Sequence, residues 1–68
     1  MPFYDALHYV LSTANGKVKR KSWNDNNYIM RKIDRDKVYI VLHIRDEQFV
    51  DFKCDSEILV SEDWEIVE

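Results

Sequence analysis

The sequence predicts an α+β domain: an N-terminal helix packed on a small antiparallel sheet of four to five strands, with a short helical turn before the last strand. Apolar residues recur at the helical period near the start of the chain. From residue 28 onward, short runs rich in β-branched and aromatic residues are separated by polar turns, which is typical of strands. Since linkers, repeats and low-complexity segments are absent, residues 1–68 are expected to form a single domain.

The first helix is predicted over residues 3–14. The apolar side chains of this segment share one helix face and are Phe3, Ala6, Leu7, Val10 and Leu11. The pair Asn15-Gly16 offers a left-handed C-cap, so we expect the helix to end near Ala14.

The strands are predicted from the change of period after Gly16. They cover residues 18–20, 28–33, 37–44, 48–53 and 64–67, with turns at residues 34–36 and 45–47. Asp55 or Ser56 is expected to cap a helical turn over residues 57–60. Because one helix covers only one face of the sheet, the other face is left open, and an open face is a natural dimer surface.

The small size of the chain also favours self-association. A domain of 68 residues buries about 60% of the surface that its unfolded chain exposes, and its core rarely supplies more than about 3–5 kcal/mol. Disulfides, metals or self-association are the common supplements. With one cysteine in the chain, an internal disulfide is excluded.

Charge is distributed unevenly along the chain. The net charge is −3, but residues 1–40 carry +4 and residues 41–68 carry −7. An acidic protein is a poor candidate for binding duplex DNA, which selects basic surfaces. The basic residues 17–21 either meet an anion or lie at a solvated strand edge, where lysines discourage edge-to-edge pairing.

Composition excludes several classes of protein. A single glycine rules out glycine-rich phosphate loops, and 46% hydrophobic residues argue against intrinsic disorder. No apolar run approaches the roughly 20 residues of a membrane helix, and no signal peptide is recognised. We therefore expect a cytoplasmic protein that does not bind membranes.

The sequence offers no set of residues for catalysis or metal binding. Cys54, His8 and His43 are too far apart in sequence for a structural zinc site. Cys54 is interpreted as a small hydrophobic residue rather than as a nucleophile. Adjacent carboxylates such as Glu62-Asp63 point to opposite faces of a strand and make a poor acid–base pair. We predict that the protein is not an enzyme and that it needs no cofactor.

One polar and aromatic segment has the residue types of a nucleotide pocket. Arg20 offers a planar charged fork for phosphate, and Trp23 offers a flat face on which a base can stack. Asn24 can donate to and accept from a base or ribose edge, and Tyr28 adds a second aromatic surface. An equally good interpretation is that Trp23 anchors the core and Arg20 covers it by a cation–π contact.

Three motifs in this order resemble the Thoeris anti-defence-two-like family, which consists of small phage and prophage proteins. They are Phe3-x-x-Ala6-Leu7, then Gly16-x-Val18-x-Arg20-x-x-Trp23-Asn24, then Ile58-Leu59-x-x-Glu62-Asp63-Trp64. The matching segments lie at both ends of the chain and cover about half of it. The R-x-x-W-N motif is moderately specific by itself, and the three motifs together are more so.

The resemblance implies a function that composition does not reveal. Family members act as sponges, which bind cyclic nucleotide signals of bacterial antiphage systems without cleaving them. The ligands are cyclic ADP-ribose isomers or cyclic dinucleotides. The resemblance further implies the α+β fold, the cytoplasm of the bacterial host as location, and a homodimer or homotetramer with ligand pockets shared between protomers.

The resemblance also implies roles for particular residues. Trp23 would stack on a base, Asn24 would contact the ligand or hold the loop, and Arg20 would pair with phosphate or with an acidic partner such as Asp63. Asp63 would accept from a ribose or base edge. Tyr28 joins this set on residue type. The neighbouring residue Trp64 is expected to pack in the core.

Two positions depart from the family pattern. Glycines usually stand before the motif tryptophan and after the motif asparagine, where this chain has Ser22 and Asp25. A glycine lets the backbone approach a ligand closely, and Asp25 places a negative charge beside the expected phosphate site.

Other functions remain as alternatives. The acidic balance of residues 41–68 supports a phage inhibitor that binds a host defence protein or nucleic-acid-handling protein. A module for single-stranded nucleic acid would use Tyr39 and Phe49 on the open face as stacking platforms, although net acidity counts against it. An enzyme that hydrolyses the signal comes last.

Overall fold

The computed structural model describes residues 1–46 and 48–67, which form two helices and five strands. In chain order these are α1 (Phe3–Ser12), β1 (Val18–Arg20), β2 (Tyr28–Asp34), β3 (Lys37–His43), β4 (Phe49–Asp51), α2 (Ser56–Val60) and β5 (Trp64–Ile66). The expected α+β class, with a helix first and a short helix before the last strand, is confirmed. None of the helices in the described ranges is long and apolar enough to cross a membrane.

The five strands form one antiparallel sheet in the order β4-β3-β2-β1-β5. The ladder between β2 and β3 runs through seven residue pairs, from Tyr28 opposite His43 to Asp34 opposite Lys37. The last strand returns to pair with the first, so β1 lies between β2 and β5. The expectation of a lysine-rich strand edge at residues 17–21 is therefore wrong, since the edges of the sheet are β4 and β5.

The core lies between α1 and one face of the sheet. Its buried side chains are Phe3, Ala6 and Val10 from α1 and Val18, Ile29 and Trp64 from the sheet. The predicted helix face thus meets β1, β2 and β5. Leu11, the last member of that face, is 44% exposed. It lies in the last turn of the helix, which ends at Ser12 and extends beyond the core.

The end of α1 differs from the prediction in position and in residue. The helix stops two residues early, and Asn15 rather than Gly16 adopts the left-handed conformation, with φ 63°. Gly16 lies in a close contact, since a Cβ there would stand 3.0 Å from the side chains of Thr13 and Tyr9, which would have to shift. Arg31 on β2 donates to the carbonyl of Leu11 at 3.0 Å, which places a cation at the negative end of the helix.

The short helix α2 is held by side chains at both ends. Asp55 accepts a hydrogen bond from the backbone N–H of Ile58 at 2.9 Å, as expected of an N-cap. Ser61 follows the helix, and its hydroxyl accepts a hydrogen bond from the indole N–H of Trp64 at 2.6 Å. The backbone carbonyl of Ser61 also accepts from the N–H of Phe3 at 3.0 Å. These bonds join the start of α1 to the segment that leads into β5.

The other expected boundaries agree closely with the structure. The turn between β2 and β3 contains Arg35 in a left-handed conformation, with φ 60°. The third predicted strand ends at His43 instead of at residue 44, and β4 covers residues 49–51 of the predicted 48–53. In the turn predicted at residues 45–47, Asp46 has φ 51°. Glu47 lies outside the described residues.

Ile29 provides a test of this packing, because it is fully buried in the central strand β2. Replacing Ile29 by Val should lower the free energy of unfolding by about 0.5–1.5 kcal/mol, and by Ala by about 2–5 kcal/mol. The larger loss matches the whole stability of a domain of this size, about 3–5 kcal/mol, so Ile29→Ala should be largely unfolded.

Urea denaturation followed by circular dichroism measures these changes. The control is Val38→Ala, since Val38 is exposed near the turn between β2 and β3 and its loss should change stability by about 0.5 kcal/mol or less. Equal effects of Ile29→Ala and Val38→Ala would contradict the placement of the core.

Candidate functional site

The two most specific parts of the sequence motifs meet in space. Arg20 on β1 stands directly opposite Trp64 on β5 in the sheet register. Its guanidinium Nε donates to Asp63 Oδ1 at 2.9 Å, and the backbone N–H of Lys21 donates to the carbonyl of Asp63 at 2.9 Å. The R-x-x-W-N and D-W motifs, more than 40 residues apart in sequence, therefore form one cluster. We call Arg20, Trp23, Asp63 and Trp64 the motif cluster.

Arg20 is shared between two carboxylates. Besides Asp63, its Nη1 donates to Glu57 Oε1 of α2 at 3.2 Å. The hydrogen bond to Asp63 is the main cause that raises the pKa of Arg20, and the same bond lowers the pKa of Asp63. Pairing with Asp63 agrees with one of the two roles expected for Arg20. Glu57 could not be assigned to the site from the sequence, because nothing in its local pattern connects α2 with β1.

Trp23 packs against the core and is also partly exposed. Its backbone N–H donates to the carbonyl of Arg20 at 2.9 Å, closing a turn after β1. Its ring meets that of Trp64 edge-on, with centroids 5.2 Å apart and an interplanar angle of 78°. Trp64 is 1% exposed and lies in the core, as expected. Trp23 thus packs against the core with one part of its side chain and is exposed to solvent with another.

Asn24 is exposed and organises the loop between β1 and β2. Its side-chain Oδ1 accepts from the backbone N–H of Asn26 at 3.3 Å, and its carbonyl accepts from the N–H of Asn27 at 2.9 Å. Asparagine side chains commonly stabilise turns in this way. The geometry accounts for the loop-holding role expected of Asn24.

Lys19 belongs to the basic residues 17–21, but its individual role could not be assigned from the sequence. It is only 7% exposed, and its ammonium donates to the carbonyl of Trp23 at 3.0 Å and pairs with Glu65 Oε1 at 2.9 Å. The hydrogen bond to Glu65 is the main cause that raises the pKa of Lys19. Strand alternation places Lys19 on the face opposite to Val18 and Arg20. This alternation was the feature of the sequence from which its separate environment could have been inferred.

Tyr28 is separated from the motif cluster by the sheet. It lies on the face opposite α1, where its ring stacks on His43 with centroids 4.5 Å apart and an angle of 11°. The ammonium of Lys17 stands 4.9 Å from the centre of the Tyr28 ring. His43 Nδ1 lies 2.6 Å from the carbonyl of Asn26, so this nitrogen is the donor. The structure therefore brings Arg20, Trp23 and Asp63 together. It places Tyr28 on the other face of the sheet, at the end of the loop between β1 and β2.

The sheet face opposite α1, which we call the open face, carries shallow grooves. One groove of about 230 Å³ and another of about 180 Å³ share three lining residues, which are Lys32, Val41 and Phe49. Tyr39 and Asp51 add a ring and a carboxylate to the larger groove. Phe49 is 43% exposed, and Tyr39 is similarly exposed, so the two rings considered as stacking platforms do reach solvent.

Cys54 is exposed, which differs from the expected buried hydrophobic role. Local desolvation, followed by the charge of Asp55, raises the pKa of the Cys54 thiol, which favours the unreactive protonated form. Within residues 1–46 and 48–67, no three side chains of His, Cys, Asp or Glu are grouped to hold a metal ion.

The fold and the motif cluster define a small α+β domain in which the two ends of the chain build one polar and aromatic site. A family model described as the Thoeris anti-defense 2-like domain matches residues 1–67. The chain belongs to this family, and its membership supports a phage anti-defence role. No curated protein and no solved structure matches the chain.

The pKa of Asp63 gives a prediction for acid stability. Because Arg20 lowers this pKa below the ordinary 3.8, the ion pair stabilises the folded protein above that pH, and the stabilisation is lost as the pH falls through the lowered pKa. Asp63→Asn should lower stability at neutral pH and flatten the acid side of the stability profile.

Thermal denaturation between neutral and acid pH measures this profile. The control is Glu62→Gln, which removes one negative charge from the exposed neighbouring residue and should keep the profile of the wild type. An unchanged acid slope in Asp63→Asn would mean that the Arg20 pair adds nothing to stability.

Proposed function

We propose that the protein is a sponge: it binds a cyclic nucleotide immune signal in the host cytoplasm and sequesters it without cleavage. The observation that carries the proposal is the meeting of the family motifs in one cluster, with Arg20 Nε 2.9 Å from Asp63 Oδ1 beside the packed pair Trp23 and Trp64. A ligand that contacts both motifs requires them to meet at a partly exposed site, although they lie near opposite ends of the chain.

The cluster supplies interactions suited to a nucleotide. The exposed part of Trp23 provides a surface for stacking a base. Arg20 already has its guanidinium oriented by Asp63, and a phosphate replaces the exposed Glu57 as its second acceptor. Asp63 accepts from ribose hydroxyls or a base edge, and Asn24 presents its exposed amide beside the stacked base.

Sequestration requires affinity and no chemical step. The roles assigned to the cluster are stacking, hydrogen bonding and ion pairing, all of which leave the ligand intact. We therefore propose that the protein is not an enzyme.

The residues that replace the family glycines fit this proposal. Asp25, at the position after the motif asparagine, has its carboxylate 3.6 Å from the ammonium of Lys19, which offsets its charge locally. Ser22 and Asp25 are both exposed, so neither side chain is part of the core against which Trp23 packs.

Native mass spectrometry with cyclic ADP-ribose isomers and cyclic dinucleotides tests the sponge function. The wild type should retain one of these nucleotides, and heat denaturation of the complex should release it with unchanged mass. Release of a cleaved nucleotide would indicate a hydrolase, and retention of none of them would contradict the proposal.

Trp23→Ala tests the site. Loss of base stacking should weaken binding about tenfold or more, since a stacked base contributes about 1–3 kcal/mol. Trp23→Phe keeps an aromatic ring against Trp64 and serves as the matched control, with a smaller loss. Calorimetric titration measures both, and unchanged affinity in a folded Trp23→Ala protein would exclude Trp23 from the site.

We further propose that the protein is a homo-oligomer that associates through the open face. Neither of the two described helices packs on this face, and its exposed rings Tyr39 and Phe49 flank the apolar Val41. Burying them against a second copy supplements the small core. Because Tyr28 lies on this face, its contribution to a ligand held at Trp23 requires a pocket shared between protomers.

Phe49→Glu tests this interface by placing a charge on the open face. Native mass spectrometry should show an oligomer for the wild type and a monomer for Phe49→Glu, because association would bury the new carboxylate. Leu59→Glu is the matched control, since Leu59 is an exposed residue of α2 away from the open face. A monomeric wild type, or dissociation by both variants, would contradict the assignment.

A second candidate function is binding to a host defence or nucleic-acid-handling protein. It is favoured by the segment of α2, in which the exposed Leu59 and the 76% exposed Val60 are close in sequence to the exposed acidic residues Glu57 and Glu62. Such a surface suits a basic protein partner. A pull-down from host lysate that is lost at high salt and in Glu57→Lys would support this function, and no retained protein at low salt would oppose it.

A further inference from the structure

Lys19 has an environment that solvent-exposed lysines lack. Its side chain leaves β1 toward the face opposite α1, directly across from Glu65 on β5. It is only 7% exposed although it carries a full charge. Burial of an ammonium is costly unless the charge is paired and its protons are all donated, so this position demands partners.

The partners of Lys19 are the parts of the loop that follows β1. Its Nζ lies 3.0 Å from the carbonyl of Trp23 and 3.4 Å from that of Arg20, the two residues that open and close the turn. Two carboxylates complete the shell, Glu65 Oε1 at 2.9 Å and Asp25 Oδ1 at 3.6 Å. The ammonium is thus surrounded by oxygen atoms from the turn, the loop and β5.

This arrangement holds the backbone carbonyl and the backbone N–H of Trp23. The carbonyl of Trp23 points to Lys19, while its N–H donates to the carbonyl of Arg20 at 2.9 Å. The peptide groups on both sides of Trp23 are therefore held, and its ring packs edge-on against that of Trp64. Lys19 also pairs with Asp25 on the far side of Asn24.

We propose that Lys19 is the positioning residue of the ligand site: its ammonium holds the loop carbonyl oxygens so that Trp23 and Asn24 face the ligand. The part of this inference that concerns affinity rests on the sponge function proposed above. The part that concerns the loop conformation stands on the geometry alone.

Lys19→Met removes the ammonium and keeps the length of the side chain. We expect the variant to fold, because the core residues on the other face of β1 are untouched. The exciton couplet of Trp23 and Trp64 in the far-ultraviolet circular dichroism should shrink, since it depends on the mutual orientation of the two rings. Affinity for the cyclic ADP-ribose isomers and cyclic dinucleotides should fall about tenfold or more in calorimetric titrations.

Arg31→Met is the matched control. It also removes a cation whose side chain donates to a backbone carbonyl at 3.0 Å, but that carbonyl belongs to Leu11 at the end of α1. It should lower the melting temperature while it leaves the couplet and the affinity at the wild-type values. A purely stabilising role of Lys19 would make the two variants alike.

Glu65→Gln keeps the inference testable if Lys19→Met does not fold. Glu65 is half-buried at the sheet edge, and its loss of charge weakens the hold on Lys19 without opening the core. The couplet should shrink in the same direction by a smaller amount. A couplet of wild-type size in each folded variant would overturn the positioning role.

The two proposals fail in different ways. If the wild type retains none of the nucleotides, the sponge function fails, and the couplet still decides whether Lys19 sets the loop. If the wild type binds and Lys19→Met changes the couplet but not the affinity, the loop conformation is irrelevant to the ligand and the positioning role is overturned.

Discussion

The antiparallel pairing of β1 with β5 is the constraint on which the rest of the structure depends. It places Arg20 opposite Trp64 and Lys19 opposite Glu65, and it brings the last strand to the side of the sheet where α1 begins. The start of the chain is held by the same strand, since Met1 and Trp64 exchange two backbone hydrogen bonds, at 2.7 and 3.1 Å. Core, motif cluster and loop are all organised around this one pair of short strands.

The uneven charge of the sequence has a structural explanation in this pairing. Neighbouring residues of β1 point to opposite faces, so Arg20 and Lys19 carry positive charge to both sides of the strand. Each meets carboxylates from the acidic second half of the chain, Asp63 and Glu57 on one side and Glu65 on the other. The opposite net charges of the two halves of the chain are therefore explained by ion pairs between them. Attraction of a partner to the acidic surface would be a separate effect.

The fold was predictable from the sequence where the signals are local. The period of the first helix, the turn at residues 34–36 and the cap at Asp55 all depend on near neighbours in the chain. The position of β1 inside the sheet was not predictable, because the residue pattern of a three-residue strand is too short to indicate which strands it pairs with. For the candidate site, the motifs identified Arg20, Trp23 and Asp63. They do not include Glu57, whose pairing with Arg20 is a long-range contact. They also do not include Lys19, whose partners are the adjoining loop and Glu65 of the distant strand β5.

The pairing of β1 with β5 also has a consequence for the order of folding. The hairpin of β2 and β3 joins neighbouring segments through a two-residue turn, whereas β1 and β5 must close a loop of more than 40 residues. Since closing a long loop costs more entropy, we expect the hairpin to form early and the β1–β5 pair to form late. Contacts made late act mainly on the unfolding rate. A ligand bound at the motif cluster, which forms when β1 pairs with β5, would therefore prolong the lifetime of the native state more than it would speed its formation.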